Sequence, residues 1–158
     1  MTHLNLDTEK TKKTVEELNV LLADYHVYYQ ELRNFHWNVE GTNFFDLHEQ
    51  FEDMYDDAKE KIDAIAERIL TLRFSPDSSL ATYLEKSNIK ESPKGYNDRQ
   101  MVDTLLEDHQ TVIQQMRQVV SAAGEASDEG TVDLIGGYIR ELEKTDWMLD
   151  TWTKKIKN

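Results

Sequence analysis

The chain has no cysteine, only 2 prolines and only 6 glycines among 158 residues. The absence of cysteine excludes disulfides, thiolate catalysis and metal sites with sulfur ligands. The scarcity of Pro and Gly, with 31% charged residues, favours a mainly helical protein with a charged exterior. A chain of this length is about one domain with a substantial core. We therefore expect a single domain over residues 1–158, with a short tail at 1–7.

Long hydrophobic runs and an excess of basic charge are also missing. No apolar run approaches the roughly 20 residues that span a bilayer, and the first residues, MTHLNLDTEK, contain no signal-peptide core. Lys and Arg number 18 against 31 Asp and Glu, which gives a formal charge of −13. Such a charge repels phosphate backbones and membrane surfaces and attracts cations. These features predict a soluble, cytoplasmic protein that binds no membrane.

Four long segments carry apolar residues three or four positions apart, which is typical of helices that bury one face. The predicted helices cover about 8–39, 43–73, 98–123 and 128–155. Gly41 is expected to end the first helix, and Thr42 or Asn43 to cap the second. On the last helix the predicted core face runs from Ile135 to Ile156.

The connections between these helices differ in length. The first two helices are joined by a few residues, as are the last two, so each pair is expected to be antiparallel. Residues 74–97 form a long crossover with a short predicted helix at about 79–86. The sequence therefore predicts an all-α, ferritin-like four-helix bundle with a short helix in the crossover.

Five potential metal ligands stand out: His36, His48, Glu52, Asp63 and Glu67. The pairs 48/52 and 63/67 each have a spacing of four, so each pair shares one helical face. The two pairs lie roughly 16 Å or more apart along one helix. The positions 48 and 67, and 52 and 63, share one midpoint between 57 and 58. Two copies of this helix crossing antiparallel about a twofold axis at that midpoint would bring the pairs together.

Ordinary explanations exist for each residue alone. A lone His on an apolar face is most often a hydrogen-bonded core residue, and Asp63 and Glu67 would suit a solvated helix face beside Lys59 and Lys61. The Glu-x-x-His pattern of an intrachain di-iron site is absent, which disfavours such a site. Imidazole and carboxylate ligands suit iron, zinc or manganese without selecting one. Spacing alone leaves a shared metal site and ordinary helix side chains as alternatives.

Three further histidines have weaker prospects as ligands. His26 lies roughly 15 Å from His36 along the predicted helix and is not expected at the same site. His109 stands alone on an apolar face and is expected to be a structural core residue. His3, in the tail, is too isolated to indicate a site.

The ligand pattern resembles that of the Dps family (DNA-binding proteins from starved cells), which are ferritin-like mini-cages. The shared features are a His-Trp pair at 36 and 37, a His-Glu pair at 48 and 49, and the run IDAIAER containing Asp63 and Glu67. The resemblance extends over essentially the whole chain, including the long crossover and the start of the last helix, GEASDEGTVDLI. One departure is Glu52, where many relatives have the shorter Asp.

The resemblance implies a homododecameric shell of tetrahedral symmetry with two-iron ferroxidase sites at its twofold interfaces. His36, His48 and Glu52 would come from one subunit, and Asp63 and Glu67 from its neighbour. The implied activity is oxidation of Fe(II), with hydrogen peroxide preferred over oxygen. Ferric mineral would be stored in the cavity, which would protect the cell from oxidative damage under stress.

The resemblance also suggests roles outside the ligand set. Trp37 would lie beside the site and intercept stray oxidising equivalents; alternatively it packs at a helix end. Asp133 and Asp128 would line threefold pores that admit cations, although acidic residues in a first turn also complement the helix dipole with no further function.

DNA binding is expected to be weak or absent despite the family name. Phosphate binding requires clustered Lys and Arg. Here Lys10, Lys12 and Lys13 are interleaved with Glu residues, and the C-terminal TKKIKN is short. The alternative functions are a DNA-compacting or purely structural helical oligomer. A zinc hydrolase is disfavoured because the sequence shows no open coordination position or substrate cleft.

Overall fold

The computed structural model describes residues 3–154, which contain five α-helices and no strand. The helices are α1 (Thr8–Asn38), α2 (Phe44–Thr71), α3 (Leu80–Lys86), α4 (Asp98–Glu125) and α5 (Glu129–Thr153). The predicted all-α class, with four long helices and a short one in the crossover, is confirmed. The expected helix end at Lys155 and core position of Ile156 lie outside the described residues. Within the described range, no helix is both long enough and apolar enough to cross a membrane.

The helix starts are fixed by side-chain caps, with one exception. The Asp7 carboxylate accepts a hydrogen bond from the Lys10 amide at 2.9 Å, and Asn97 forms a capping box with Gln100 at the start of α4. Asn43 occupies the N-cap position of α2, but its side chain makes no capping bond. Its Nδ2 instead donates to Asp98 Oδ2 at 2.9 Å. Asn43 is therefore the N-cap residue, as predicted, but its amide ties the start of α2 to the start of α4 instead of bonding to the α2 backbone.

The core is centred on α1, which packs against α2, α3 and α4, while α4 packs against α5. The spacing in the sequence predicts that one face of α4 points into the core, and all seven of its positions are buried: Val102, Leu105, His109, Val112, Met116, Val119 and Ala123. Of the eight core positions predicted for the first helix, only Tyr29 is half-buried, and the other seven are buried: Val15, Leu18, Leu22, Tyr25, Leu32, His36 and Val39. Phe35 of α1 and Phe51 of α2 are both fully buried, with their ring centroids 6.1 Å apart. Burial of such apolar faces is the main favourable term in folding a helical bundle.

Between α2 and α5 a buried lysine replaces part of the apolar contact. Lys61 is only 4% exposed, and its ammonium lies 2.5 Å from Asp57 and 2.9 Å from Glu141. It also lies 5.2 Å from the centre of the Tyr138 ring. Lys61 therefore lies on the side of α2 that α5 covers, whereas Asp63 and Glu67 are exposed.

The crossover is held along α1 by hydrogen bonds to side chains of that helix. The Asp77 amide donates to Asn19 Oδ1 at 2.8 Å, and the Asn88 amide donates to the buried Asp24 carboxylate at 2.6 Å. Because these acceptors lie on one helix, the long connection follows α1 instead of projecting into solvent.

Asp108 of α4 is a buried carboxyl whose Oδ2 has no hydrogen-bond partner among the described residues. Burial raises its pKa to about 8 from an ordinary value of 3.8, and the negative charges of Glu31, Glu107 and Asp24 add to the increase. A pKa raised on folding means that the folded state binds the proton more tightly. This carboxyl therefore lowers stability progressively as pH rises from about 4 to about 8.

We expect Asp108→Asn to increase stability near neutral pH and to flatten its pH dependence. Within that window Asp108 decreases the free energy of unfolding of the parent protein by about 1.4 kcal/mol per pH unit, because one proton is released on unfolding. Denaturant unfolding between pH 5 and pH 8 measures the difference, with the exposed Glu143→Gln as the control variant. Identical slopes for Asp108→Asn and the parent would show that Asp108 is ionised in the folded protein.

Candidate metal centre

The turn between α1 and α2 brings two histidines into contact. His36 lies in the last turn of α1 and His48 in the second turn of α2. Their rings stack with centroids 3.8 Å apart and planes at 16°. Gly41 allows this close reversal because its φ of +101° is a conformation that other residues rarely adopt. The structure therefore places the two predicted imidazole ligands side by side.

Two reciprocal hydrogen bonds orient these imidazoles. His36 Nδ1 lies 2.7 Å from the His48 carbonyl oxygen, and His48 Nδ1 lies 2.7 Å from the His36 carbonyl oxygen. A carbonyl oxygen can only accept, so each Nδ1 carries the hydrogen. Each neutral ring then has its lone pair on Nε2. Backbone orientation of one ring nitrogen, leaving the other for a metal, is typical of histidine ligands.

Aromatic side chains surround this histidine pair. The Phe44 ring stacks on His48 with centroids 4.9 Å apart, and the Tyr55 ring packs edge-on against His36 at 5.3 Å. The Tyr55 hydroxyl also donates to Glu52 Oε1 at 3.3 Å. Tyr55 therefore links the exposed carboxylate to the imidazoles. Tyr55 was not among the residues predicted for the site, although its spacing of three from Glu52 places the two on one face of a helix.

Asp63 and Glu67 lie on the same helix but far from the histidines. Helix α2 is unbroken from Phe44 to Thr71, so Glu52 and Asp63 are roughly 16 Å apart along its axis. Both carboxylates are exposed. Within residues 3–154, no group of three or more His, Asp or Glu side chains is close enough to hold a metal ion. The five predicted ligands therefore lie in two separate groups, and their role as metal ligands stays a prediction.

The remaining histidines lie away from the His36–His48 pair. His26 stacks on Tyr83 of α3, with ring centroids 3.9 Å apart, at the edge of a cleft of about 680 Å³ that Asp63 also borders. Burial lowers the His26 pKa. His109 is fully buried and hydrogen-bonded, as expected for a core histidine. His3 is exposed in a turn before α1.

Comparison with known proteins decides the family. The family model described as Ferritin-like domain matches residues 15–158. The DNA protection during starvation protein of Porphyromonas gingivalis is 41% identical over 150 residues, which cover 95% of this chain and 94% of that protein. The DNA protection during starvation protein 2 of Bacillus anthracis is 40% identical over 138 residues, or 87% of this chain and 94% of that protein.

Solved structures agree with these sequence relatives. The crystal structure of the Dps protein from Vibrio cholerae O1 superposes with a TM-score of 0.94 at 42% identity, covering 98% of this chain and 97% of that one. That protein is described as a member of a broad superfamily of ferritin-like diiron-carboxylate proteins. This chain belongs to the Dps family. Membership confirms the resemblance read from the sequence and the ferritin-like form of the bundle.

In this Dps chain Trp37 follows His36 directly and is 61% exposed. The Arg33 guanidinium lies 5.5 Å from the centre of its ring and 4.5 Å from the centre of the Tyr29 ring. Tyr29 in turn packs edge-on against Tyr55 at 6.0 Å. Oxidisable rings therefore continue outward from the histidine pair. A role for Trp37 in intercepting oxidising equivalents stays a prediction.

The structure separates the two predicted pore residues. Asp128 is only 2% exposed and caps α5, and its carboxylate accepts hydrogen bonds from the Thr131 amide at 3.1 Å and from Arg68 at 2.6 Å. Its other oxygen accepts from the Thr131 hydroxyl at 2.5 Å. The prediction that Asp128 lines a pore is therefore wrong, because its carboxylate is buried and engaged inside the subunit. Asp133 is exposed on α5 and stays a prediction for the pore.

Proposed function

We propose that this Dps protein oxidises Fe(II) with hydrogen peroxide, or more slowly with oxygen, and stores the ferric product inside a homododecameric cage. The reaction sites are shared between subunits. The observation that carries the proposal is the division of the five candidate ligands into two groups. His36 of α1 lies against His48 at the start of α2, one turn before Glu52, whereas Asp63 and Glu67 lie farther along the same unbroken α2. Two copies of α2 that cross about a twofold axis near residues 57 and 58 would complete two equivalent sites.

The chain's residues divide the work at such a site. His36 and His48 offer neutral Nε2 donors and Glu52 offers a carboxylate, while Asp63 and Glu67 of a second subunit add two carboxylates. This mixture of imidazole and carboxylate suits iron as the substrate. The carboxylates offset the positive charge that increases when Fe(II) becomes Fe(III). The backbone hydrogen bonds at Nδ1 hold both imidazoles in place as that charge changes.

The proposed chemistry balances with peroxide as a two-electron oxidant. Two Fe(II) ions each lose one electron, and one peroxide molecule accepts both electrons and two protons to form two water molecules. Because the electrons leave as a pair, no hydroxyl radical is released. The ferric ions would move to the cavity, where hydrolysis yields mineral. Exposed carboxylates such as Asp133, on a subunit of charge −13, would draw Fe(II) inward.

Exposed apolar side chains support assembly of the subunits. Large contiguous apolar surfaces on a single subunit usually mark interfaces. Leu70 lies on α2 one turn beyond Glu67. Leu80 and Leu84 of α3 line a second cleft, which shares His26 and Tyr83 with the cleft that Asp63 borders. The side chains of these three leucines are 53%, 76% and 58% exposed, respectively. A second subunit that contributes to the metal site would cover this part of the surface.

The proposal is tested by mixing anaerobic protein with a slight excess of Fe(II) per subunit and then adding peroxide or air. Ferric absorbance and particle size are followed together. Rapid peroxide-driven oxidation inside a particle of twelve subunits is the expected result. Oxidation no faster than in buffer would exclude the ferroxidase function and leave a structural helical oligomer.

DNA binding is not expected to accompany this function. Lys10, Lys12 and Lys13 are exposed on the first turns of α1, but Glu9 precedes them and Glu16 and Glu17 follow them on the same helix. We expect no shift of linear duplex DNA by the assembled protein in a gel at physiological salt. A clear shift that disappears as salt increases would contradict this prediction and indicate phosphate contacts.

A further inference from the structure

A buried chain of three polar side chains crosses the bundle between α1, α4 and α5. The Tyr28 hydroxyl lies 2.8 Å from His109 Nε2, and His109 Nδ1 lies 3.2 Å from Asp146 Oδ1. Tyr28 and His109 are buried in the core, whereas the Asp146 side chain is 38% exposed. The ring centroids of Tyr28 and His109 are 5.7 Å apart. This series of hydrogen bonds therefore runs from the Tyr28 phenol in the core to the Asp146 carboxylate at the protein surface.

The direction of these hydrogen bonds follows from the acceptors. An ionised carboxylate can only accept, so His109 Nδ1 carries a hydrogen and His109 Nε2 has the lone pair. The Tyr28 hydroxyl therefore donates to Nε2. If Tyr28 lost an electron, its proton would move along this bond, and the resulting imidazolium would be stabilised by Asp146.

The neighbouring Tyr25 is equally buried but, within residues 3–154, lacks a proton acceptor. Tyr25 is 1% exposed and packs edge-on against Tyr28 with ring centroids 6.0 Å apart. Its hydroxyl has no hydrogen-bond partner among the described residues. Oxidation of Tyr25 would leave a protonated, positively charged phenol in the core, which burial strongly disfavours. Of these two buried tyrosines, only Tyr28 has a proton acceptor in place.

Tyr28 lies within reach of the candidate metal centre for electron transfer. It precedes His36 by eight residues on α1, which is roughly 12 Å along the axis. The next residue, Tyr29, packs against Tyr55, and Tyr55 packs against His36. Ring contacts therefore run from Tyr29 through Tyr55 to a proposed iron ligand, and the backbone between residues 28 and 29 joins Tyr28 to this path.

We propose that Tyr28 is a redox-active tyrosine that supplies one electron to the metal centre, with His109 as the acceptor of its proton and Asp146 as the residue that positions His109. This inference rests on the proposed ferroxidase function and deepens it. It concerns turnovers in which a site holds a single Fe(II) when peroxide arrives. In that case the second electron that peroxide requires must come from the protein.

The steps balance without a further reductant. One Fe(II) gives one electron, and Tyr28 gives the second as its hydroxyl proton passes to His109 Nε2. Peroxide takes both electrons and two solvent protons and forms two water molecules. A later Fe(II) reduces the neutral tyrosyl radical, and the proton returns from His109. The sum is again two Fe(II) oxidised per peroxide, with no hydroxyl radical released.

Freeze-quench electron paramagnetic resonance of the assembled protein tests this inference. The protein receives fewer Fe(II) ions than it has sites, then peroxide, and ferric absorbance is recorded in parallel. We expect a tyrosyl radical whose hyperfine pattern changes on incorporation of ring-deuterated tyrosine. Tyr28→Phe should abolish this signal and increase hydroxyl radical captured by a spin trap. Tyr25→Phe, a matched change 6.0 Å away, should leave both unchanged.

A second variant separates proton transfer from packing. His109→Gln keeps a hydrogen-bond acceptor but cannot take the proton, so it should also lose the radical. A radical that persists in Tyr28→Phe, or its absence from a parent that oxidises iron rapidly with peroxide, overturns the inference and leaves the ferroxidase function intact. A parent that oxidises iron no faster than buffer overturns both.

Discussion

Asp63→Asn will suppress peroxide-driven oxidation of Fe(II) while the protein still assembles. Asp63 is exposed in the single chain, and Asn has nearly the same shape as Asp. The substitution should therefore weaken metal binding without disturbing the fold. Loss of a residue that merely orients a ligand typically costs 10–100-fold, and loss of a ligand should cost at least about as much. Stopped-flow ferric absorbance measures the rate, and gel filtration measures the size.

Asp56→Asn is a matched control for this prediction. Asp56 is exposed on the same helix and borders the same cleft, so its substitution makes the same change of charge near Asp63. It should oxidise iron at nearly the parent rate. Parent-like oxidation by Asp63→Asn would remove Asp63 from the site. Loss of the cage would instead show that Asp63 serves mainly the interface.

Asp128→Ala will be the most destabilising of the single charge removals considered. The substitution leaves the Arg68 guanidinium, whose side chain is 20% exposed, without its 2.6 Å partner, and it removes the cap of α5. Breaking a buried pair from one side typically costs about 3–5 kcal/mol, and loss of an N-cap costs about 1 kcal/mol. We expect a decrease of at least about 3 kcal/mol in the free energy of unfolding.

The control for Asp128→Ala is Asp133→Ala, which removes an exposed charge five residues along the same chain. Its effect on stability should lie within about 0.5 kcal/mol. Both variants are unfolded with denaturant at one protein concentration, because assembly itself contributes to apparent stability. Equal effects would contradict the buried ion pair between α2 and α5.

The helices could be predicted from the sequence because their apolar residues recur with the helical period. Every predicted core position of α4, from Val102 to Ala123, is buried. Helix α1 ends at Asn38, one residue before the predicted end at 39, and Gly41 forms the turn that joins the histidines. Differences of one or two residues are ordinary at helix ends.

The separation of Glu52 from Asp63 along α2 could also be predicted from the sequence, because residue spacing on an unbroken helix fixes the distance. The partners of the buried charges could not be predicted in this way. Lys61 and Asp128 resemble ordinary surface residues in the sequence, and only the packing of α5 against α2 gives them their partners. The hydrogen bond between Tyr28 and His109 joins residues 81 positions apart, so no local pattern indicates it.

The sharing of each site between two subunits is tested most directly by co-assembly of two inactive variants. His36→Ala and Asp63→Asn subunits are co-expressed in equal amounts, and peroxide-driven Fe(II) oxidation is measured in the mixed cages. In the shared arrangement each site takes its histidines from one subunit and Asp63 from its neighbour. A site in a mixed cage is then intact only when an Asp63→Asn subunit supplies the histidines and a His36→Ala subunit supplies Asp63 and Glu67. Random pairing gives one half multiplied by one half, so about a quarter of the parent rate should return. Mixed cages as inactive as either variant alone would show that all five ligands act within one chain, or not at all.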